Sequence, residues 1–269
     1  MNSIKIGFLQ GRLTKSTDGD IQFFPFDNWE NEFKIASDLG FDCIELLVKS
    51  NSYKENPIWS DAGVGRILEL SKKFNLSVPS VHGFYIKKPE YTDILIELIK
   101  RSSMVGAQAV LISFFEERAL NNMEDKLTAV NLIKPALDIA RELNVTLGIE
   151  TEMPAEELKE FVDMFDSKNV GVYYDIGNMV SMGVDVVKEI ELLKNYICGV
   201  HIKDRLVGKG TVPIGEGDSD FPVIFLALKN INYKKPLIFQ GARKEGVDDI
   251  ELNKSYLKTV KNWLLEINY

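Results

Sequence analysis

Cysteine and histidine are scarce in this chain. Its 269 residues include two of each: Cys43, Cys198, His82 and His201. There is no C-x-x-C pair, and two cysteines are too few for a disulfide scaffold or a structural zinc site. Each lies inside an apolar run, at 41–47 and 196–202, and reads as a buried free thiol. No apolar stretch approaches the length needed to span a membrane. Met1 leads almost directly into the strand-like Ile4-Lys5-Ile6-Gly7-Phe8-Leu9, without the basic and apolar regions of a signal peptide. A cytoplasmic location is the resulting expectation. There is no basic excess either: 32 Lys and Arg face 40 Asp and Glu, a net charge of −8. That balance argues against a broad nucleic-acid-binding face but leaves room for a local cationic pocket.

Short β-rich runs alternate with longer segments of helical period. Strands are predicted at 4–9, 43–48, 77–82, 109–113, 145–150, 170–175, 198–203 and 237–240. Helices are predicted at 29–39, 61–74, 91–105, 123–143, 155–165, 184–193, 221–229 and 250–267, where apolar residues recur every three or four positions. Asp27-Asn28 and Ser60-Asp61 supply start signals and Gly40 a stop. Eight strands in strict alternation with eight helices predict a parallel sheet closed by right-handed crossovers, a (β/α)8 barrel. The rival is a doubly wound open sheet, whose glycine-rich phosphate turn is missing: Gly7…Gly11 does not fit G-x-G-x-x-G. No Pro/Gly/Ser-rich linker divides the chain, so residues 1–269 are expected to form one domain. The long connection at 10–28 invites a functional reading.

The active sites of such barrels lie at the C-terminal ends of the strands. Four consecutive predicted strands finish there with a potential ligand: Glu150 on the fifth, Asp175 on the sixth, His201 on the seventh and Gln240 on the eighth. One terminal carboxylate alone is more often a helix cap or a solvated loop residue. Four in one register point to a divalent cation, with a mixed carboxylate, imidazole and amide shell suited to Mn²⁺, Mg²⁺, Co²⁺ or Zn²⁺.

These residues also carry a resemblance. The strand-5 glutamate, Asp175-Ile176-Gly177-Asn178, His201-Ile202-Lys203-Asp204-Arg205 and Pro213-Ile214-Gly215-Glu216-Gly217-Asp218 resemble the xylose-isomerase-like TIM barrels. That superfamily includes sugar-phosphate isomerases and epimerases, ketose 3-epimerases, inosose dehydratase and endonuclease IV. The resemblance implies one catalytic divalent ion held by Glu150, Asp175, His201 and Gln240, with Glu150 doubling as a base. Two positions depart from the pattern. The strand-8 residue is usually a second glutamate that acts as ligand and base. Gln240 can lend an oxygen but cannot take a proton. The residue three after the strand-6 aspartate is often histidine and is Asn178 here.

The expected activity is a metal-dependent aldose–ketose isomerase or epimerase acting on a small sugar or sugar phosphate through an enediolate. A dehydratase using the same site and a non-catalytic sugar-binding barrel are the alternatives. Losing the second carboxylate favours isomerase or dehydratase over epimerase, because epimerisation returns a proton to the opposite face. Glu156, one turn past the fifth strand, is a candidate substitute or merely a first-turn acid favouring its helix dipole. An abasic-site endonuclease would need a histidine-rich multi-zinc site.

His82 ends the third strand as a substrate contact or a satisfied core residue. Glu45 on the second points into the barrel or into a salt bridge. Arg12, Lys203, Arg205 and Arg243 follow strand ends and are candidates to pair with a phosphate or carboxylate; one of the last three is expected near the metal. Phe23, Phe24, Phe26 and Trp29 are either an apolar wall over the sugar or a staple for the first helix. A small carbohydrate is the expected partner, with no nucleic acid and no membrane, and homo-oligomerisation left open.

Overall fold

The computed structural model describes residues 4–16 and 21–269. Seven strands run from β1 (Ile6–Leu9) through β2 (Cys43–Leu47), β3 (Ser80–His82), β4 (Ala109–Phe114), β5 (Thr146–Thr151) and β6 (Val170–Asp175) to β7 (Ile197–Ile202). After a short hairpin of β8 (Asp204–Arg205) and β9 (Thr211–Val212), the last barrel strand is β10 (Leu237–Phe239). β1 pairs with both β2 and β10, so the sheet closes in the order β1-β2-β3-β4-β5-β6-β7-β10, with every barrel pairing parallel. The strands are rich in Val, Ile and Leu because both faces are covered. The outward face packs against the surrounding helices in one large apolar cluster that includes Ile44, Val110, Ile149, Val172, Val200 and Phe239.

Helix boundaries follow local chemistry. α1 (Trp29–Leu39) stops at Gly40, which takes the left-handed conformation at φ 86°. α2 (Asp61–Phe74) starts at Ser60, whose Oγ accepts from Gly63 N at 3.0 Å. After α3 (Tyr91–Met104), the helix predicted at 123–143 is interrupted. α4 (Met123–Ile133) gives way to a 3-10 turn at Lys134–Ala136 before α5 (Leu137–Glu142). Pro135 sits in that turn; it lacks an N–H and crowds the carbonyl four residues back. Then come α6 (Ala155–Asp163), α7 (Ile176–Ser181), α8 (Val186–Leu192), α9 (Phe221–Asn230) and α10 (Asp249–Glu266). Neither α7 nor the hairpin was expected. α7 is started by Asp175, whose Oδ1 accepts from Asn178 N at 2.9 Å. Among the described residues no helix is long and apolar enough to cross a membrane.

The barrel interior is not uniformly apolar. Two small apolar clusters, Leu9-Cys43-Leu47-Ile238 and Ala109-Leu111-Tyr173-Cys198, flank buried Glu45, Ser80, His82 and His201. Both cysteines are free and buried, as expected. Tyr173 fills the space left by two glycines: a Cβ at Gly199 would meet its ring at 2.2 Å, and one at Gly148 at 2.9 Å. Toward the N-terminal ends of the strands, a cavity of about 30 Å³ is lined by Pro79, Tyr173, Cys198, Tyr233 and Lys235, among others.

Candidate active site

β6 and β7 pair so that Asp175 lies beside His201, and β4 pairs with β5 at Ser113 and Glu150. This register brings Glu150, Asp175 and His201 together. Each offers a ligand atom within 4.8 Å of the other two, and all three side chains are buried. His201 Nδ1 is 2.9 Å from Glu150 Oε1 and 3.8 Å from Asp175 Oδ2. On its other side, Nε2 is 2.8 Å from Glu45 Oε1. Glu45 Oε2 accepts from Ser80 Oγ at 2.5 Å and from the Tyr173 hydroxyl. His82 stacks on His201, with ring centroids 5.7 Å apart and an interplanar angle of 11°. Its Nδ1 lies 3.7 Å from Glu45 Oε1.

Electrostatics follow this crowding. Burial alone would lower the His201 pKa, but Glu45 and Glu150 overcome it and push it up to about 10. Burial raises Glu45, yet His201 and His82 win and hold it well below the usual carboxylate range. Glu150 is lowered by the same contest, in which His201, His82 and Lys203 outweigh burial. Asp175 goes the other way: burial and neighbouring Glu150 raise it against the pull of Lys203 and His201.

The donor set fits a divalent cation. Asp175 Oδ2 and Gln240 Oε1 are both buried oxygens without a hydrogen-bond donor; Asp175 Oδ2 has only the longer contacts to Lys203 Nζ (3.5 Å) and His201 Nδ1 (3.8 Å), an arrangement that a bound cation would complete. Glu150, Asp175 and His201 Nδ1 would hold the ion, with the Gln240 carbonyl oxygen as a fourth donor. Glu45, His82 and His201 form a second close triplet. Glu45 already spends both oxygens on His201, Ser80 and Tyr173. It therefore orients the imidazole, as carboxylates commonly do behind metal-binding histidines.

Above these residues opens a cavity of about 940 Å³, lined by Arg12, His82, Glu150, Asn178, Lys203, Arg205 and Gln240, among others. Lys203 Nζ donates to Asn178 Oδ1 at 3.1 Å and lies 3.5 Å from Asp175 Oδ2. Arg205 Nη1 reaches the same Asn178 oxygen at 3.0 Å and Glu152 at 2.5 Å. Two other candidates fall elsewhere. Arg243 does not line the cavity; it ties the end of β10 to α10 through Asp249 (2.5 Å) and to the first loop through Gly11 O (2.7 Å) and Thr14 O (3.0 Å). Glu156 is exposed in the first turn of α6, outside the cavity, whose acidic lining on that side is Glu152 and Glu157. The aromatic wall is also differently built. Phe23, Phe24 and Phe26 border a separate cavity of about 410 Å³, and Trp29 packs on Phe33. The mouth takes Phe114, Phe115, Leu120 and Met153 instead.

Several supporting residues escaped the sequence reading. Ser80 and Tyr173 carry no signal beyond being polar in apolar strands. Glu32, an acid on the apolar face of α1, accepts from Gly11 N (2.8 Å), Leu13 N (3.0 Å) and Thr14 Oγ1 (3.1 Å), pinning the first loop. Asp204 accepts from Gly215 N (2.8 Å), Gly217 N (3.0 Å) and Ser219 N (3.3 Å). This explains the Gly-Glu-Gly stretch, because a Cβ at Gly217 would sit 2.1 Å from Asp204 Oδ1.

A closed eight-stranded barrel with carboxylates and a histidine gathered at one end defines a class, and the chain belongs to the xylose isomerase-like TIM barrel family, matched over residues 33–265. Within that class it is similar to L-ribulose-5-phosphate 3-epimerase UlaE of Escherichia coli O1:K1. The two are 24% identical over 234 residues, which cover 79% of this chain and 81% of that protein. The fold matches an L-ribulose 3-epimerase structure at a TM-score of 0.78, with 18% identity, covering 98% of this chain and 96% of that one. It also matches the IOLI protein, solved with a bound zinc atom, at a TM-score of 0.73 and 18% identity, covering 98% of each chain.

Proposed function

We propose that the protein is a divalent-metal-dependent sugar isomerase or epimerase that moves a proton on the carbon beside a carbonyl. The observation that carries this reading is the cluster of Glu150, Asp175 and His201, with the unsatisfied oxygens of Asp175 and Gln240. When bound, the cation would act as a Lewis acid on a carbonyl and its neighbouring hydroxyl, contributing several kcal/mol to a developing enediolate. The rest falls to the chain. Glu150 lines the cavity, and its Oε1, 2.9 Å from His201 Nδ1, is the oxygen that would hold the ion beside that nitrogen. Its second oxygen is then the one to take the proton, a general-base contribution of about 10²–10⁴-fold. Glu45 fixes the ring of His201 by accepting from Nε2, which leaves Nδ1 facing the carboxylates. Lys203 and Arg205 hold Asn178 in place at the cavity wall.

Aldose–ketose isomerisation is the finer reading, since the single base Glu150 suffices for it. The activity named for UlaE favours 3-epimerisation as a second reading. That route needs a second proton carrier, and Gln240 cannot be one. His82, stacked on His201, and Lys203, 3.5 Å from Asp175 Oδ2, are titratable groups of the cavity beside the cluster.

The test is NMR of deuterium uptake from D2O into a panel of ketoses, aldoses and inositols, with each of Mn²⁺, Mg²⁺, Co²⁺ and Zn²⁺. Exchange beside the carbonyl that disappears in Glu150→Gln is the expected result. Loss of water from the substrate would point to a dehydratase, and no exchange on any sugar would end the isomerase reading.

A further inference from the structure

Three cations that follow barrel strands are satisfied by the protein itself, and Arg118, which follows β4 and lines the same mouth, lies 3.6 Å from Glu117 with its side chain a quarter exposed. Arg205 has Glu152 and Asn178, Lys203 has Asn178 and Asp175, and Arg243 has Asp249 and two loop carbonyls. Arg12 is different. It is 3% exposed and lines the mouth cavity. Among the described residues its one side-chain hydrogen bond goes from Nη1 to the carbonyl of Ile21, and its buried Nε has no partner. Among the described residues no carboxylate makes an ion pair with it. A guanidinium offers five N–H donors in a planar fork, so most of its donors are uncommitted. Burying an unpaired charge is strongly unfavourable unless a counter-charge arrives.

Position adds direction. Arg12 follows β1, and in the closed order β1 stands four strands from β5 either way round, diametrically across the mouth from Glu150.

We propose that Arg12 is an anion-binding residue of the mouth, taking the phosphate or carboxylate terminus of an open-chain sugar whose carbonyl end lies across the cavity at Glu150. The placement of the carbonyl end rests on the isomerase or epimerase reading; the anion subsite rests on the pairing and burial of Arg12. Burial and neighbouring Arg243 pull the Arg12 pKa down to about 9 against the more distant pull of Asp249, Asp175 and Glu32, and an incoming anion would raise it again. Charge-assisted hydrogen bonds of this kind correspond to about 10- to 100-fold in affinity.

The test uses inert polyols, so that binding is read without turnover. Calorimetric titration of the metal-free protein with ribitol, ribitol 5-phosphate and ribonate should show one anion binding about 10- to 100-fold tighter than ribitol. The preferred anion identifies the terminus as phosphate or carboxylate. Arg12→Met, checked for folding by circular dichroism, should reduce that anion to the affinity of ribitol, and Arg12→Lys should keep part of the preference. If neither variant folds, wild-type protein still decides, because the preference must be present and must weaken as salt is added. Equal affinity for all three compounds, no binding of any of them, or an undiminished preference in folded Arg12→Met overturns the proposal. A lack of proton exchange on every ketose would sink the isomerase or epimerase reading while leaving this preference intact.

Discussion

His201 and Glu45 meet at the centre of the barrel, with imidazole Nε2 2.8 Å from carboxylate Oε1 and both side chains wholly buried. The contact assigns different work to the two ring nitrogens: Nε2 donates downward to Glu45, and Nδ1 is presented to Glu150 and Asp175. Glu45→Gln preserves volume but weakens this orientation. Metal affinity is expected to fall about 10- to 100-fold, as measured by competition with a chromogenic chelator. Unchanged affinity would show that Glu45 has only a packing role.

Asp175 has two tasks, because Oδ1 starts α7 and Oδ2 has no hydrogen-bond donor. Asp175→Asn retains an oxygen to cap Asn178 N while losing the charge; Asp175→Ala loses both. Elemental analysis should find about one ion per chain in wild-type protein and far less in either variant. The alanine variant should lose about 1 kcal/mol more stability than the asparagine one. Equal metal content in all three proteins would remove Asp175 from the ligand set.

Gln240→Glu should be tolerated, since the two side chains differ little in size. It would place a second carboxylate just past β10, where the backbone N–H of residue 240 donates to Ile202 O of β7. Metal binding is expected to persist and 3-epimerase activity to rise, read as product stereochemistry by NMR. Robust epimerisation by wild-type protein that the change does not affect would assign the second proton transfer to another group.

Glu32 gives a pH signature. Burial pushes its pKa up to about 7, against the lowering effect of hydrogen bonds from Gly11, Leu13 and Thr14. The folded state therefore holds a proton that the unfolded chain, with an ordinary carboxylate near 4.5, releases earlier. Stability from this residue is full below about pH 4.5, falls as pH rises toward 7 and is flat above. Urea denaturation of wild type and Glu32→Gln across that range should show wild type losing up to a few kcal/mol relative to the variant. A parallel pair of curves would contradict it.

Gly217→Ala should cost about 1–3 kcal/mol, seen as a lower melting temperature, because its methyl group would displace Asp204 from the three amides it holds. An unchanged melting temperature would mean that the loop has room to shift.

Periodicity made the barrel legible, because strands covered on both faces and amphipathic helices leave patterns of different period. It did not reveal the break at Pro135, where the apolar rhythm continues through a residue that cannot complete the helix. Nor did it show α7, which is too short for a periodic signal and depends on one capping carboxylate. Glu150, Asp175 and His201 were readable because polar groups at the ends of apolar strands stand out. The ranking of the cations was not. Whether Arg12, Lys203, Arg205 or Arg243 is spent on the protein depends on partners up to hundreds of residues away in sequence, as the bond from Arg243 to Gly11 shows. Glu156 and Glu152 differ only in which side of a tight connection faces the cavity, and spacing alone does not decide that.

The ring of Tyr173, seated over Gly148 and Gly199 with its hydroxyl on Glu45, separates the large mouth cavity from the small one at the other end of the barrel. Among the described residues the two cavities share no lining side chain, so the site is a well that opens at the mouth. Substrate that enters past Arg12 and product that leaves then share one doorway, and Glu150 meets solvent through that mouth.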